Sequence, residues 1–463
     1  MEKWISLLSV LILLHPTINN QNNYGCSYET LLTSEKQIIC VNISSSFFQY
    51  FAINFNKSHW FTCKTCNLSS ITSSTFNFPK NSINRLILSE NNIIEVNEKS
   101  FAKLPFLKTL ILRGNLIDRI NIDTFDGIPK LLQLDLSKNV LEYLEEFTFS
   151  KLEDLDLLNL NHNLIEAISK DAFYGLQNLK YLYFNGNKIT NLEGNVFEKL
   201  INLKLLYLEH NRITTINYLA FHGLENLNYL YLNNNTITTL TQYNFKPLRN
   251  LVDLQLRHNK LISLGTSVFN GLRNLKFLYL GANDLNTIEQ YGLVGLNCLQ
   301  VLDFIGNKLE NFSLSYFKDV DTINVLWLEN NNLRNFTIDP QAKVQKSLKI
   351  INLETNNLQF VNYKFLHEKA PQLEELWIGG NNWTCDFILE MYDYFHGKDV
   401  KICTMENCSK STIKSYMESI CFEPYQNETE MSDVAFDCTN RNNCTIFFVI
   451  LIVISNYFYL SLS

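Results

Sequence analysis

An asparagine recurs every 24 residues through most of this chain, at Asn91, Asn115, Asn139, Asn163, Asn187, Asn211, Asn235, Asn259, Asn283, Asn307 and Asn331. Two more, Asn356 and Asn381, follow at steps of 25. Each closes the same phrase, as in LYLEHNRI (Leu206 to Ile213) and LYLNNNTI (Leu230 to Ile237). A fixed period of this length constrains the fold more than any local propensity does. One repeat cannot bury its apolar side alone and must stack on its neighbours. The predicted product is a repetitive surface suited to recognition rather than to catalysis.

Apolar and variable residues alternate through the L-x-L part of the phrase, which is the period of a strand. The asparagine comes three positions after the last strand leucine. Its amide carries donors and an acceptor, so it can satisfy backbone groups at a tight turn that no strand partner reaches. A second column stands ten residues after the asparagines: Phe101, Phe125, Phe149, Phe173, Phe197, Phe221, Phe245 and Phe269, then Leu293, then Phe317. Spacing this regular predicts a buried spine of rings.

The phrase fits L-x-x-L-x-L-x-x-N-x-L, and with the asparagine ladder and the phenylalanine spine the chain resembles the extracellular leucine-rich repeat proteins of the 24-residue type. Toll-like receptor ectodomains, Slit, chaoptin and connectin belong to that family. The resemblance covers roughly residues 60 to 421 and implies an α/β fold. That fold is a curved horseshoe solenoid with a parallel concave β-sheet, an irregular convex side and disulfide-bonded end caps. It implies little about the ligand, because one fold hosts many binding roles.

The ends point to export. Residues 1–20 read as a signal peptide, with Lys3 before an apolar run from Trp4 to Leu14 that is too short to span a membrane. Ten of the eleven cysteines lie near the ends, where a solenoid needs caps and an oxidising compartment allows bridges. Residues 21–80 are expected to form an N-terminal cap with a degenerate first repeat, in which Cys66 takes the ladder position. The repeats then start near residue 60 and run in regular form over 81–380. Cys26 and Cys40 belong to this cap. A zinc site at Cys63-x-x-Cys66 would need Cys26 and Cys40, whose spacing is not knuckle-like.

Residues 381–421 should form the C-terminal cap. NNWTCDF resembles the family's N-P-W-x-C-x-C element, with Trp383 and Cys385 in place. Asn382 stands where proline is usual, and Phe387 where the second cysteine is usual, so the family's pairing cannot be transferred. Cys385, Cys403, Cys408 and Cys421 are the expected bridging residues, with three pairings open. Phe387, Met391, Tyr394 and Phe395 share one face of a predicted helix. Cys298 stands apart in the array. It is expected to be a partly exposed free thiol, and an intermolecular bridge in a homo- or heterodimer stays open.

Of ten N-x-S/T sequons, Asn42, Asn56, Asn67, Asn234, Asn311, Asn335, Asn382, Asn407 and Asn427 are expected to be glycosylated. Asn443 lies against the terminal apolar run. Residues 422–443 form a polar, acidic stalk, and 444–463 an apolar end followed by nothing basic. A spanning receptor carries Lys or Arg on its cytoplasmic side. This end better fits a glycolipid-anchor signal, with a single-pass anchor and a secreted chain as alternatives. The expected location is the outer face of the plasma membrane.

Counting back from each asparagine gives the strand positions that face away from the core. The central column runs Ile87, Ile111, Asp135, Asn159, Tyr183, Tyr207, Tyr231, Gln255, Tyr279, Asp303, Trp327, Asn352 and Trp377. Its neighbour adds Tyr181, Leu205, Tyr229 and Phe277. The nine rings at Tyr181, Tyr183, Tyr207, Tyr229, Tyr231, Phe277, Tyr279, Trp327 and Trp377 are the candidate ligand site. Aromatic side chains dominate interface hot spots, and a contiguous exposed patch of them marks an interaction surface. The competing expectation is that such rings merely suit strands and pack across them. A glycan on Asn234 would shade one rim of this patch.

His162, His210 and His258 each precede a ladder asparagine. Their alternate repeats set them about 10 Å apart, too far to share one metal ion. No phosphate loop, nucleophile elbow or H-E-x-x-H is present, and no catalytic residue, metal or cofactor is expected. The net charge of −7 disfavours nucleic acid as the main partner. The expected function is binding of a protein ligand or of a second copy of the chain, as in cell adhesion. The alternative is a co-receptor for a soluble ligand.

Overall fold

The structure, a computed structural model, describes residues 25–30, 36–44, 60–78, 81–317, 320–340 and 342–403. The signal peptide, the stalk and the apolar end lie outside these residues. So do Asn56, Asn407, Asn427, Cys408 and Cys421. The chain forms two compact units, residues 1–227 and 228–463.

In the first unit an antiparallel pair, Gly25–Thr30 with Lys36–Val41, opens the structure and carries the Cys26–Cys40 bridge. Lys36–Val41 then pairs in parallel with Trp60–Lys64, with Cys40 opposite Cys63. Parallel stacking therefore begins one strand before residue 60, where the asparagine phrase gives no signal. Ile38, Ile39 and Cys40 are all buried, so this earlier strand is covered on both faces. Parallel three-residue strands follow at Arg85–Ile87, Thr109–Ile111, Gln133–Asp135, Leu157–Asn159, Tyr181–Tyr183 and Leu205–Tyr207.

The second unit repeats the pattern at Tyr229–Tyr231, Asp253–Gln255, Phe277–Tyr279, Val301–Asp303, Val325–Trp327, Ile350–Asn352 and Glu375–Trp377. Lys401–Cys403 adds a strand beyond the last asparagine. The middle residue of each strand is buried, and fully so at Leu110, Leu158, Leu254 and Leu326. Burying a leucine contributes about 1.5–3 kcal/mol relative to exposure. Its two neighbours point to the opposite face.

The residue before the ladder asparagine is left-handed in repeat after repeat: φ is 54° at Lys138, 55° at His162, 53° at His258 and 52° at Thr355. This sharp turn leaves the last strand carbonyl without a ladder partner, and the asparagine supplies one. Asn163 Nδ2 donates to the Leu160 carbonyl of its own turn at 3.0 Å and to the Leu136 carbonyl of the preceding turn at 3.1 Å. Its Oδ1 accepts the Leu141 N–H at 3.2 Å. Asn283 does the same in the second unit with Leu280, Leu256 and Leu261. Each strand-end carbonyl thus serves two amides, as Leu256 does for Asn259 and Asn283.

Behind the turns the phenylalanine rings stack. Phe101–Phe125 and Phe149–Phe173 have centroids 6.4 and 6.5 Å apart and are nearly parallel. Phe76, ten residues after Cys66, extends the stack to Phe101. Phe245–Phe269 continues the pattern in the second unit at 6.2 Å.

The second unit closes on the helix Cys385–Phe395, capped by Thr384, whose side chain accepts from the Phe387 N–H. Ile388, Met391 and Phe395 are its buried residues, while Phe387 and Tyr394 are half-buried. Phe387 stacks on Trp383 at 5.3 Å, so a ring contact stands where the family pattern has a cysteine. Trp383 is buried and donates from Nε1 to the Ile378 carbonyl at 2.9 Å.

Candidate functional site

None of the nine candidate rings is freely exposed. Eight are half-buried and Tyr279 is buried. The rings lie on the face away from the leucine core, and each unit treats them differently.

In the first unit Tyr181 stands opposite Leu205, and Tyr183 opposite Tyr207, on adjacent parallel strands. The Tyr183 and Tyr207 rings stack at 5.3 Å and 14°. Register forces this: side chains at matched positions of neighbouring strands stand within ring-contact distance. Burial raises the Tyr183 hydroxyl above its ordinary range, with Tyr181 adding to the effect. Leu205, the neighbouring-column residue of the same turn, is buried.

In the second unit the expectation of an open face fails around Tyr279. Tyr279, Val301 and Val325 form a buried cluster, with Phe277, Trp327 and Ile350 packed against it. Arg257 lies over the Tyr279 ring at 4.8 Å and reaches Asp303, its Nε 2.5 Å from Oδ2. Asp303 is fully buried although it sits in the central face column. Burial raises its carboxyl above the ordinary range, opposed by Arg257 and by the Ile305 N–H, which donates to Oδ1. Burial also pushes the Tyr279 hydroxyl well up. Tyr279 therefore belongs to a small second core rather than to an open patch. Tyr229 and Tyr231 stand opposite Asp253 and Gln255.

Further along, Trp327 stands opposite Asn352 and Asn352 opposite Trp377. Asn352 is nearly buried and donates from Nδ2 to Glu329 Oε2 at 3.1 Å. Glu354 is 3% exposed, and its Oε1 has no hydrogen-bond partner. Burial, then the neighbouring Glu329 charge, push its carboxyl up to about 7. Trp377 Nε1 donates to Glu375 Oε2 at 3.2 Å. Sequence reasoning passed over Arg257, Glu329 and Glu354. They occupy the third face column, two residues before each asparagine, which carries no aromatic signal.

The remaining candidate residues lie off this face or at its margin. Cys63 bridges Cys66, a pairing that the sequence reading did not include among its cap bridges. Cys385 and Cys403 are disulfide-bonded, and Cys298 is free and half-buried. Asn42, Asn67, Asn311, Asn335 and Asn382 are exposed; Asn234 is half-buried. Asn311 and Asn335 sit on the second, outer row of short strands, where Asn335 Nδ2 donates to Asn311 Oδ1 at 2.8 Å. His162, His210 and His258 each take the left-handed turn position.

Four overlapping windows, residues 105–165, 155–213, 201–261 and 249–309, match the family model described as leucine rich repeat. Among solved structures, a leucine-rich repeat protein of Leptospira interrogans is 23% identical. It has a TM-score of 0.59, with 75% of this chain and 84% of that one covered. A chain of the Toll–Spatzle complex of Drosophila is 19% identical with a TM-score of 0.60, covering 75% of this chain. This chain spans 48% of that one, about half its length. A chain of the LRIM1/APL1C complex is 18% identical with a TM-score of 0.55, covering 85% of this chain and 76% of that one. No curated protein matches by sequence. At these identities the likeness establishes the fold.

Proposed function

We propose that this chain, a leucine-rich repeat protein, is a cell-surface glycoprotein that binds a protein ligand on its strand-lined face and acts in cell adhesion. The observation that carries the reading is the half-buried tyrosines on each unit's strand face, Tyr181, Tyr183 and Tyr207 in the first and Tyr229 and Tyr231 in the second. A half-covered tyrosine keeps its polar tip in water while its ring is already ordered by a neighbour, so binding costs little side-chain entropy. The disulfides at both ends of the described chain support an oxidising compartment. The sequons and the apolar C-terminal segment support anchoring at the outer surface. Among the described residues no helix is long and apolar enough to cross a membrane.

Expression of the chain on suspended cells tests the reading. Transfected cells should aggregate among themselves. The variant Tyr183→Ser, Tyr207→Ser and Tyr231→Ser should lose that aggregation, or at least about tenfold in partner affinity, while reaching the surface at normal levels. Unchanged adhesion in this variant refutes the tyrosine face as the binding site. Phospholipase C that cleaves glycolipid anchors should release the protein; retention would refute that anchor.

A second reading is capture of a soluble ligand for a signalling partner. It draws on the Toll–Spatzle complex, which has the same fold. Cells that stay dispersed but bind a soluble protein would favour it.

A further inference from the structure

The second unit shows how it satisfies a buried carboxylate on its strand face. Asp303 is covered by Arg257, which reaches across the Tyr279 ring from two turns away. The guanidinium neutralises the carboxylate, and the ring beneath it holds it in place.

The same kinds of group recur from Trp327 to Trp377, but without the arginine. Trp327 and Trp377 flank Asn352 on successive strands, which sets their backbone positions about 10 Å apart, and Trp327 also packs against the Tyr279 cluster. Asn352 lies at the floor and holds Glu329 by its amide. Glu354, two residues after Asn352, is 3% exposed with Oε1 unpartnered. Glu375 lies alongside and accepts from the Trp377 indole. Among the described residues no lysine or arginine forms an ion pair with Glu329, Glu354 or Glu375. Two carboxylates therefore face each other in a half-buried place, and a buried charge without a counter-charge is costly.

We propose that the Trp327–Trp377 notch is a subsite for an arginine side chain of the protein ligand, with Glu329 as its direct carboxylate partner. The proposal rests on the protein-binding reading above and names which chemistry that ligand brings. The guanidinium stacks against the indoles as Arg257 stacks on Tyr279, and its N–H groups donate to Glu329 Oε1 and Oε2. Glu354 lies beneath and contributes its negative field rather than a direct contact. Ammonium groups suit the place less well, because a planar cation fills a slot between two rings and hydrogen-bonds in two directions. The overall charge of −7 favours a basic partner segment.

The purified full chain, titrated with the peptide acetyl-Gly-Arg-Gly-amide and followed by tryptophan fluorescence, tests this. Saturable quenching is expected. The citrulline counterpart, equal in shape but uncharged, should bind at least about tenfold more weakly. The double variant Glu329→Gln, Glu354→Gln should lose a similar factor, while Glu310→Gln, an exposed carboxylate outside the notch, should leave the peptide affinity unchanged. Equal binding of the arginine and citrulline peptides, absence of saturable binding, or an unaltered double variant would each overturn the subsite. This titration needs no partner, so its outcome is separate from that of the adhesion assay. Adhesion unaffected by the triple tyrosine variant breaks the broader reading alone.

Discussion

The two units are built on one backbone plan and differ in what they place on it. In the first, the strand face carries stacked tyrosines, Tyr183 on Tyr207, and among the described residues of that unit no charged side chain is buried. In the second, part of the face is internal: Tyr279, Val301 and Val325 are buried, and half-buried Arg257 covers the buried Asp303. The ladder amides, the left-handed turns and the ring spine are common to both. The scaffold therefore depends on residues whose environment repeats. The face is free to be open in one unit and partly internal in the other.

The largest effect should come from breaking what only the second unit has. Arg257→Ala leaves Asp303 buried and uncompensated, which should cost about 3–5 kcal/mol. Hydrogen exchange should show lost protection through residues 253–327 while strands of the first unit stay protected. Equal loss in both units would mean that they do not open separately.

A smaller, pH-dependent effect belongs to Glu354. Its folded carboxyl holds a proton up to about 7, whereas an exposed glutamate releases it near its ordinary value of 4.5. The folded form therefore binds more protons in this window, and its contribution to stability falls as pH rises from about 4.5 to about 7. Glu354→Gln should raise stability at pH 8 by about 3 kcal/mol and leave it unchanged at pH 4. Thermal melts at the two pH values check the sign. A variant less stable at pH 8 would show that the backbone hydrogen bond from Gly379 outweighs burial and the Glu329 charge.

Removing a ladder amide should instead treat the units alike. Asn163→Ala and Asn283→Ala each strand a buried turn, at about 1–3 kcal/mol. Paired denaturant titrations should give costs within about 0.5 kcal/mol of each other. A clear inequality would show that the surrounding face adds to the ladder. The smallest change is Gly186→Ala, with φ at 68° and an added Cβ 2.5 Å from His162 Nδ1. A left-handed alanine costs roughly 1 kcal/mol, and His162→Ala in the same chain should recover only the part due to the ring contact.

The sequence exposed the scaffold because every scaffold role recurs at fixed spacing. Asn163 and Asn283 use the same three backbone partners, at the same offsets, in different units. Phe76 could have been found by the same count, ten places after Cys66. Lys36–Val41 could not, because its turn lacks the asparagine phrase altogether. The face was half legible. Counting back from the ladder identified which residues point away from the leucines, and Tyr183 and Tyr207 do lie together there. It placed Tyr279 and Asp303 in the same open column, and both are buried.

The sequence by itself determined the repeat, the turn chemistry and the inward face of every strand, since these follow from the backbone over a few residues. Only the tertiary structure decided how much of the outward face meets water. That cover comes from side chains one or two turns away: Arg257 and Asp303 are 46 residues apart in the chain, yet their side chains meet across Tyr279. A period tells which residues share a column. It does not tell which member of that column is long enough, or charged enough, to reach across its neighbours.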